Sequence, residues 1–328
     1  MTELKGATAA AGAPAAAAAP RTSPAAHRPR RSRRHVLELV VLLGPALLLF
    51  AAFVLLPICI AAYYGMFNWT GYGPLSDFTG LHNYKLVLED PVFRSSLFHN
   101  LIIAVLSLVI QLPISIAIAL LLNRRMRGGS FLRMAVFAPY VVSQATTAVL
   151  WLLLLQPGGF VDELMKAVGL GGLVQEWLAD PTIVLYTMFG VLTWQFIGFG
   201  VILLLAGLQG IPAELREAAA IDGASAWQTT RRITLPLLGP TVRIWIFLSM
   251  IGSLQVFDLV WIMTLGGPAN ASSTMVTYMI FFGFHSLEFG YGSAAAVLLF
   301  VISFVLAFLY QRFVLRRDTD GALTRAVG

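Results

Sequence analysis

The chain has 328 residues, of which 58% are hydrophobic and 12% are charged, and its mean hydropathy is +0.80. Soluble domains carry about 25% charged residues, so this composition excludes an ordinary soluble protein and indicates a membrane protein. The formal net charge is +6 at pH 7, but the basic residues flank apolar runs, which argues against a nucleic-acid-binding surface. Cys59 is the one cysteine of the sequence, which excludes an intrachain disulfide and a cysteine metal cluster.

The first 34 residues differ in composition from everything that follows. ATAAAGAPAAAAAP is a low-complexity run of alanine and proline, and PRRSRRH is a dense basic cluster. Such a segment buries too little apolar surface to offset the entropy of ordering, so we expect a disordered tail over residues 1–34. The arginines favour a cytoplasmic location near anionic lipid, and the apolar run after them is too long for a secretory signal.

Six apolar runs follow the tail, and each is long enough to cross the hydrocarbon layer, which requires roughly 20 residues. We expect Pro57 to kink the first of them, because proline removes one helical hydrogen bond. A shorter apolar piece, Met275–Phe284, is too short to span and is expected to be interfacial or re-entrant on the outer side. The first predicted span lies within Val36–Phe67, and the other five cover approximately His99–Asn123, Phe131–Gln156, Pro181–Leu208, Thr241–Thr264 and Tyr291–Phe313.

The positions of the arginines predict the topology. Basic residues are concentrated in the N-terminal tail, in NRRMRGGSFLR after the second span, in residues 209–240 and in QRFVLRRD after the sixth span. The intervening loops are relatively rich in acids, so the positive-inside rule predicts both termini in the cytoplasm. We therefore divide the chain into a first membrane helix with its outer loop (35–95), a core of five membrane helices (96–313) and a cytoplasmic C-terminal tail (314–328).

A polar segment, EAAAIDGASAWQTTRRITLP, lies between the fourth and fifth spans. Pro212 suits the first turn of a helix, and Gly223 suits the left-handed residue that ends one. Ser225 and Gln228 have the capping-box spacing that begins a second helix, and we expect Leu235-Pro236 to close it. The segment is therefore predicted to form two short helices joined at a glycine, with an ordinary cytoplasmic loop as the alternative.

The motif formed by Glu217-Ala218-Ala219, Gly223, Ile233 and Leu235-Pro236 resembles the signature loop of inner-membrane permeases of binding-protein-dependent ABC importers. The longer string EAAAIDGASAWQ…RRITLPLLGP is similar to the sugar-uptake branch, which includes maltose and glycerol-3-phosphate permeases. Phe257–Val297 resembles this branch as well, as does PALLLFAAFVLLPICIAAYYGMFNW followed by GLHNYKLVLEDPVF. The likeness covers nearly everything after the tail. Thr230 departs from it, because the family usually has an aromatic residue there.

The resemblance implies an all-α membrane protein with about six transmembrane helices and the type I ABC importer permease fold, in the inner membrane of a bacterial cell. Residues 209–240 would carry a cytoplasmic coupling helix that inserts into a groove of a separate ATPase subunit. The implied partners are a second, paralogous permease, two ATPase subunits, an extracytoplasmic solute-binding protein and a sugar or oligosaccharide. The implied coupling residues are Glu217, Ala218, Ala219, Asp222, Gly223, Ile233, Leu235 and Pro236.

Several motifs of catalytic proteins are missing from the sequence. No G-x-x-x-x-G-K-[ST] occurs, so the chain lacks the phosphate-binding loop of an ATPase. No H-E-x-x-H occurs and the five histidines are scattered, which disfavours a metal site. We expect a non-catalytic subunit that binds no cofactor itself, with ATP and Mg held by the partner ATPase subunits.

Polar residues at membrane depth are costly and often mark a pathway, although they also join packed helices by hydrogen bonds. Trp194 and Gln195 near the middle of a span suit a sugar, which stacks on aromatic rings and bonds to amides. Asp258 is the one acid within the second to sixth predicted spans, and the alternative is that it is simply hydrated at the outer interface. The candidate pathway residues are Ser107, Gln111 and Ser115 in the second span, Gln144 in the third, Trp194 and Gln195 in the fourth, and Asp258 in the fifth.

Two other functions are weighed against sugar import. The same architecture could import a non-sugar solute such as glycerol-3-phosphate, and the ligand of the binding protein would decide between them. A stand-alone channel or ion-coupled carrier is the alternative from a different class. It is disfavoured because such proteins need ionisable groups inside their spans, and this sequence has very few.

Overall fold

The structure, a computed structural model, describes residues 33–124 and 126–315, so the predicted N-terminal and C-terminal tails lie almost wholly outside the described residues. Regular structure in the described ranges is helical, apart from an antiparallel bridge between Phe67 and Phe78. Within those ranges, five helices are long and apolar enough to cross a membrane, or six if one bent pair counts as a span. The predicted all-α membrane fold is confirmed.

The contacts within the chain divide it into two units that meet between Leu55 and Leu56. In the first unit, α1 (Arg33–Phe50) is followed by a π-helical turn at Ala51–Leu55. The second unit contains α2 (Leu56–Tyr64), α3 (His82–Glu89), α4 (Pro91–Leu106), α5 (Leu112–Leu122), α6 (Gly129–Val141), α7 (Gln144–Leu154), α8 (Phe160–Ala167), α9 (Val184–Gln209), α10 (Ala213–Ile221), α11 (Ala226–Thr229), α12 (Leu235–Leu237), α13 (Gly239–Leu254), α14 (Asp258–Thr264), α15 (Met275–Ile280) and α16 (Phe289–Tyr310).

Helix α9 is the most buried of the five spans. It packs against α5, α6 and α13, and residues such as Met188, Leu204 and Leu208 are completely enclosed. A helix that is apolar on every side is typical of such a central position, because every face meets either protein or lipid. A second cluster forms where α16 packs on α3, α15 and the start of α4. Most of the remaining apolar surface of the spans is exposed, as expected for a surface that faces lipid.

The third predicted span is wrong as a single helix. Helices α6 and α7 meet at a bend of 96°. Val142 and Ser143 are extended, with ψ of 136° and 147°, and the Ser143 side chain caps α7 by accepting a hydrogen bond from the Thr146 N–H. Counting apolar residues missed this N-cap, because a good capping residue can begin a helix inside an apolar run.

The effect of the prolines also differs from the prediction. Leu235-Pro236 does not end a helix, because Leu235 is helical (φ −64°, ψ −44°) and α12 continues through both residues. The N–H of Leu235 bonds to the carbonyl of Thr230, five residues back, instead of the usual four. This wider turn makes room for the proline ring. The same arrangement, a π-helical turn ending two residues before a proline, occurs at Ala51–Leu55 before Pro57, Ser107–Gln111 before Pro113 and Thr230–Thr234 before Pro236.

A set of hydrogen bonds from α4 holds the region between α13 and α15. Asn100 is fully buried; its Nδ2–H donates to the Ser253 carbonyl at 2.6 Å, and its Oδ1 accepts from the Met275 N–H at 2.9 Å. The Ser96 hydroxyl donates to the Ser273 hydroxyl at 2.9 Å. The apolar piece that begins at Met275 is thus a short helix whose first N–H is bonded to a neighbouring span.

The connection between α7 and α9 is fixed by one acid. The Asp162 carboxylate is buried and accepts hydrogen bonds from Trp177 Nε1–H and from the Gly158 N–H, both at 2.8 Å. The Trp177 hydrogen bond, then the Gly158 bond and the nearby Lys166 charge, lower the pKa of Asp162 below its usual value of 3.8. At the other end of the connection, bonds from Thr182 lower the pKa of Asp180.

We expect this connection to loosen in acid. Because the folded-state pKa of Asp162 lies below the unfolded value, its stabilising effect is complete above that unfolded value and is lost as the pH falls through the folded pKa. Hydrogen exchange of the 156–181 peptide, corrected for the intrinsic pH dependence, should accelerate between about pH 5 and about pH 2. The variant Asp162→Asn should remove the part of this change that is due to Asp162 and leave the part due to Asp180, whereas an unchanged profile would contradict the assignment.

Candidate functional site

The polar segment between α9 and α13 begins with α10, whose N-cap is Pro212 and whose first turn contains Glu214. At its other end, the Gly223 N–H bonds to the Ala220 carbonyl at 3.1 Å and the Ala224 N–H bonds to the Ala219 carbonyl at 2.9 Å. These two bonds form a Schellman motif, which requires a left-handed residue after the helix. Gly223 has φ +77°, so the predicted glycine helix end is confirmed.

The second helix of the segment begins with the predicted capping box. The Gln228 N–H donates to the Ser225 hydroxyl at 3.3 Å, and the Ser225 N–H donates to Gln228 Oε1 at 2.7 Å. From Ala226 the chain stays helical through α11, the π-helical turn and α12, and the Leu238 N–H still bonds to the Thr234 carbonyl at 2.9 Å. The segment therefore runs into α13 with one slightly wider turn instead of an end.

The predicted coupling residues are not equally accessible. Glu217, Ala218, Asp222, Gly223 and Pro236 are exposed, Ile233 and Leu235 are half-buried, and Ala219 is buried. The structure adds two residues that the sequence reasoning missed, since 87% of Ile221 and 69% of Trp227 is exposed. Large apolar side chains exposed on a polar segment are typical of a protein-binding surface. The sequence could have identified both residues, because large apolar residues are unusual in so polar a stretch.

A cavity of about 370 Å³ lies between the spans of the second unit. Of the predicted pathway residues, Ser107 and Gln111 from the π-helical turn after α4 and Gln144 from the start of α7 line it. π-Helical turns often occur at functional sites, because they turn side chains out of the regular helical register. The remaining lining residues are Ile103, Tyr140, Leu192, Phe196, Phe199, Trp245, Leu248, Ser249, Gly252, Ser253, Gln255 and Val256.

The cavity wall combines aromatic rings with neutral polar groups. Tyr140 stacks on Phe199 with ring centroids 5.2 Å apart and meets the edge of Phe196 at 5.9 Å. The break between α13 and α14 contributes Gln255, and none of the described residues that line the cavity is charged. Such a wall can stack on an apolar face of a ligand and bond to its hydroxyl groups, but it offers no partner for an ionic group.

Four predicted pathway residues do not line this cavity. The Ser115 hydroxyl is buried close to Gly200, and Trp194 packs edge-on against Trp151 with ring centroids 5.5 Å apart. Gln195 is buried, and its Nε2–H donates to the Val142 carbonyl at 3.1 Å, so it joins α9 to the bend between α6 and α7. Asp258 is exposed in the first turn of α14. In the described ranges, no group of three or more His, Cys, Asp or Glu side chains is placed to hold a metal ion.

This chain is similar to known proteins over most of its length. Residues 111–319 match the family described as the inner membrane component of binding-protein-dependent transport systems. A probable ABC transporter permease of Pyrococcus horikoshii is 35% identical over 274 residues, which cover 83% of this chain and 94% of that protein. The diacetylchitobiose uptake system permease NgcF of Streptomyces coelicolor is 31% identical over 318 residues, covering 92% and 90% of the two chains.

A solved structure has the same fold. It is a chain of a bacterial ABC transporter that imports the acidic polysaccharide alginate, with a TM-score of 0.73 at 23% identity over 87% of this chain and 96% of that chain. The helices, the bent pair and the polar segment described above thus define an ABC importer permease fold. This chain belongs to the family of inner-membrane permeases of binding-protein-dependent transport systems.

The cavity wall depends on a close approach between α6 and α9 at Gly198. A Cβ atom there would lie 2.4 Å from the Val136 carbonyl oxygen and 2.9 Å from the Phe137 Cα, whereas a Cβ at Gly190 would meet nothing within 4 Å. We therefore expect Gly198→Ala to lower the free energy of unfolding by roughly 1–3 kcal/mol, as overpacking does. Gly190→Ala is the matched control and should be neutral or stabilising by about 0.5–1 kcal/mol. Denaturant titration in detergent measures both, and equal values for the two variants would contradict this packing.

Proposed function

We propose that this chain is one permease subunit of an ATP-driven ABC importer that takes up a neutral sugar or oligosaccharide. An extracytoplasmic solute-binding protein would deliver the sugar, a second and paralogous permease would complete the pathway, and two ATPase subunits would supply the energy. ATP and Mg would be bound by those ATPase subunits. The observation that carries the proposal is the exposed, doubly capped polar segment that joins two cavity-lining spans in a chain of this family.

The segment is suited to transmit force because it is rigid at both of its helices. The Schellman motif closes α10, the capping box opens α11, and the helix that starts there continues into α13. α13 carries Trp245, Ser249 and Ser253 into the cavity wall, and α9 carries Leu192, Phe196 and Phe199 on the other side. A displacement of α10 and α11 by an ATPase would therefore move two walls of the cavity, which is a rigid-body switch between access states.

The exposed side chains of the segment suit a groove on another protein. Ile221 and Trp227 provide apolar anchors, and Glu217 and Asp222 provide charges for basic residues of the ATPase. We place this segment and both termini on the cytoplasmic side, because the arginines of the chain are concentrated there. The protein would thus be a multi-pass component of the bacterial inner membrane.

The lining of the cavity favours a neutral sugar over glycerol-3-phosphate. Aromatic rings, three glutamine amides and three serine hydroxyls line it, and the described lining offers no lysine or arginine for a phosphate. A charged ligand in such a wall would lose hydration without gaining an ionic partner. The permease of Streptomyces coelicolor, which serves diacetylchitobiose uptake, agrees with this substrate class. A stand-alone ion-coupled carrier is disfavoured, since Asp258 is the one acid of its span and is exposed.

Gly223→Val tests the role of the segment. Gly223 needs a left-handed conformation, which costs a β-branched residue roughly 1–2 kcal/mol or more, whereas asparagine tolerates it. The space around Gly223 is open, so a side chain there meets no steric conflict with its neighbours. We expect Gly223→Val to reduce sugar-dependent ATP hydrolysis and uptake at least about tenfold, while Gly223→Asn retains most of both. Membrane insertion should be unchanged in both variants, and wild-type uptake by Gly223→Val would refute the coupling role.

Gln111→Met tests the cavity. The substitution keeps the volume of the side chain but removes one amide from the wall, so we expect the uptake efficiency to fall about tenfold, the effect of one lost hydrogen bond. Ser115→Ala is the matched control on the same helix face, because the Ser115 hydroxyl lies outside the cavity and makes no hydrogen bond in the described structure. Initial rates of sugar uptake into proteoliposomes measure both. Equal rates for wild type and Gln111→Met would show that the sugar does not contact this wall.

A further inference from the structure

Helix α8, in the connection between α7 and α9, has three distinct sides. Successive helical residues are about 100° apart, which places Phe160 and Leu164 on one side, Glu163 and Lys166 on the next, and Val161, Asp162 and Met165 on the third. The third side is buried or half-buried against the protein. Glu163 and Lys166 form an exposed ion pair with 2.8 Å between Oε1 and Nζ. On the remaining side, 64% of Phe160 and 50% of Leu164 is exposed.

The rotation of α8 about its axis is fixed by Asp162. Its two oxygens accept separate hydrogen bonds, one from the Trp177 side chain after α8 and one from the Gly158 backbone before it. An amphipathic helix in a soluble protein turns its large apolar residues inward, whereas α8 turns Val161, Asp162 and Met165 inward and leaves Phe160 and Leu164 outside. The outward direction of Phe160 and Leu164 is therefore built into the structure.

Further apolar residues are exposed just before and just after α8 in the chain. Leu150 and Leu153 are exposed on α7, which packs against α8, and Val168, Leu170 and Leu173 are exposed after it. In a multi-pass membrane protein, the exposed apolar surface of a span is the boundary with lipid. The apolar side of α8 is continuous with that boundary along the chain, and its paired charges contribute no net charge.

We propose that α8 is an interfacial helix that binds the surface of the bilayer. Phe160 and Leu164 insert below the lipid headgroups, and Glu163 and Lys166 face the water. Helices with a separate apolar and charged side adopt this position, and insertion of the apolar side provides the binding. Because the charges of Glu163 and Lys166 cancel and the remaining charge of α8, on Asp162, is negative and buried, the interaction does not depend on anionic lipid. The contact holds the end of the bent α6–α7 pair at a fixed depth, and this role is independent of which solute is carried.

Site-directed spin labelling of the full chain in the reconstituted importer tests the proposal. Cys59 is first replaced by serine, which leaves this chain without cysteine, and the purified chain is labelled before it is assembled with its partner subunits. Single variants Phe160→Cys, Leu164→Cys and Val168→Cys probe the apolar side, and Glu163→Cys and Lys166→Cys are the matched controls on the charged side. Each carries a nitroxide, and its collision rates with oxygen and with a water-soluble nickel chelate are measured in nanodiscs of zwitterionic lipid, with and without anionic lipid.

We expect the ratio of oxygen to nickel collisions to be at least several-fold higher at the three apolar positions than at the two controls, in both lipid mixtures. Equal ratios at all five positions would overturn the proposal, because they would place the whole helix in water. Low collision rates with both reagents at the apolar positions would also overturn it, because they would show that another subunit covers this side. If this ratio is higher at the apolar positions only when anionic lipid is present, the result would contradict binding through the apolar side alone. The three apolar labels are independent, so the test survives if one variant fails to assemble.

Discussion

The structure depends on one constraint: a backbone group that leaves a helix at membrane depth must find a partner inside the protein, because lipid offers none. The spans of this chain are interrupted at several points, and polar side chains bond to the freed groups. Gln195 bonds to the Val142 carbonyl at the bend between α6 and α7. Asn100 bonds to the Ser253 carbonyl and the Met275 N–H, and Thr274 bonds to the Val256 carbonyl at the break before α14.

This constraint separates two kinds of polar residue within the spans. Asn100 is hydrogen-bonded through both atoms of its amide, and the Gln195 Nε2–H donates to the Val142 carbonyl, so both residues hold interrupted helices together and neither lines the cavity. Ser107, Gln111 and Gln144 lie instead where the interruptions leave a cavity, beside Gln255. The interruptions thus create the cavity and also bring the amides to its wall. A bundle of uninterrupted spans would have had neither feature.

The π-helical turn before Pro236 determines how the polar segment is connected to the wall of the cavity. The π-helical turn at Thr230–Thr234 accommodates Pro236, so the helix of the polar segment continues past the proline to Leu237, and Leu238 alone separates it from α13. A proline that ended the helix would have separated the segment from the wall that contains Trp245 and Ser253. The same device occurs before Pro57 and Pro113, which makes proline compatible with the long spans of this chain.

The sequence by itself determined the membrane class, the approximate spans, the two capped helices of the polar segment and their glycine joint. These features depend on local composition and on capping residues close in the chain, such as Gly223, Ser225 and Gln228. It could not separate Gln111, which lines the cavity, from Gln195, which braces a bend, because both are glutamines within apolar spans. Only the tertiary structure decided that, since the partner of Gln195 lies 53 positions away in the chain. It also decided that the third span bends at Ser143 and that Pro236 continues a helix, because hydrogen bonding and packing around each residue outweighed its average preference.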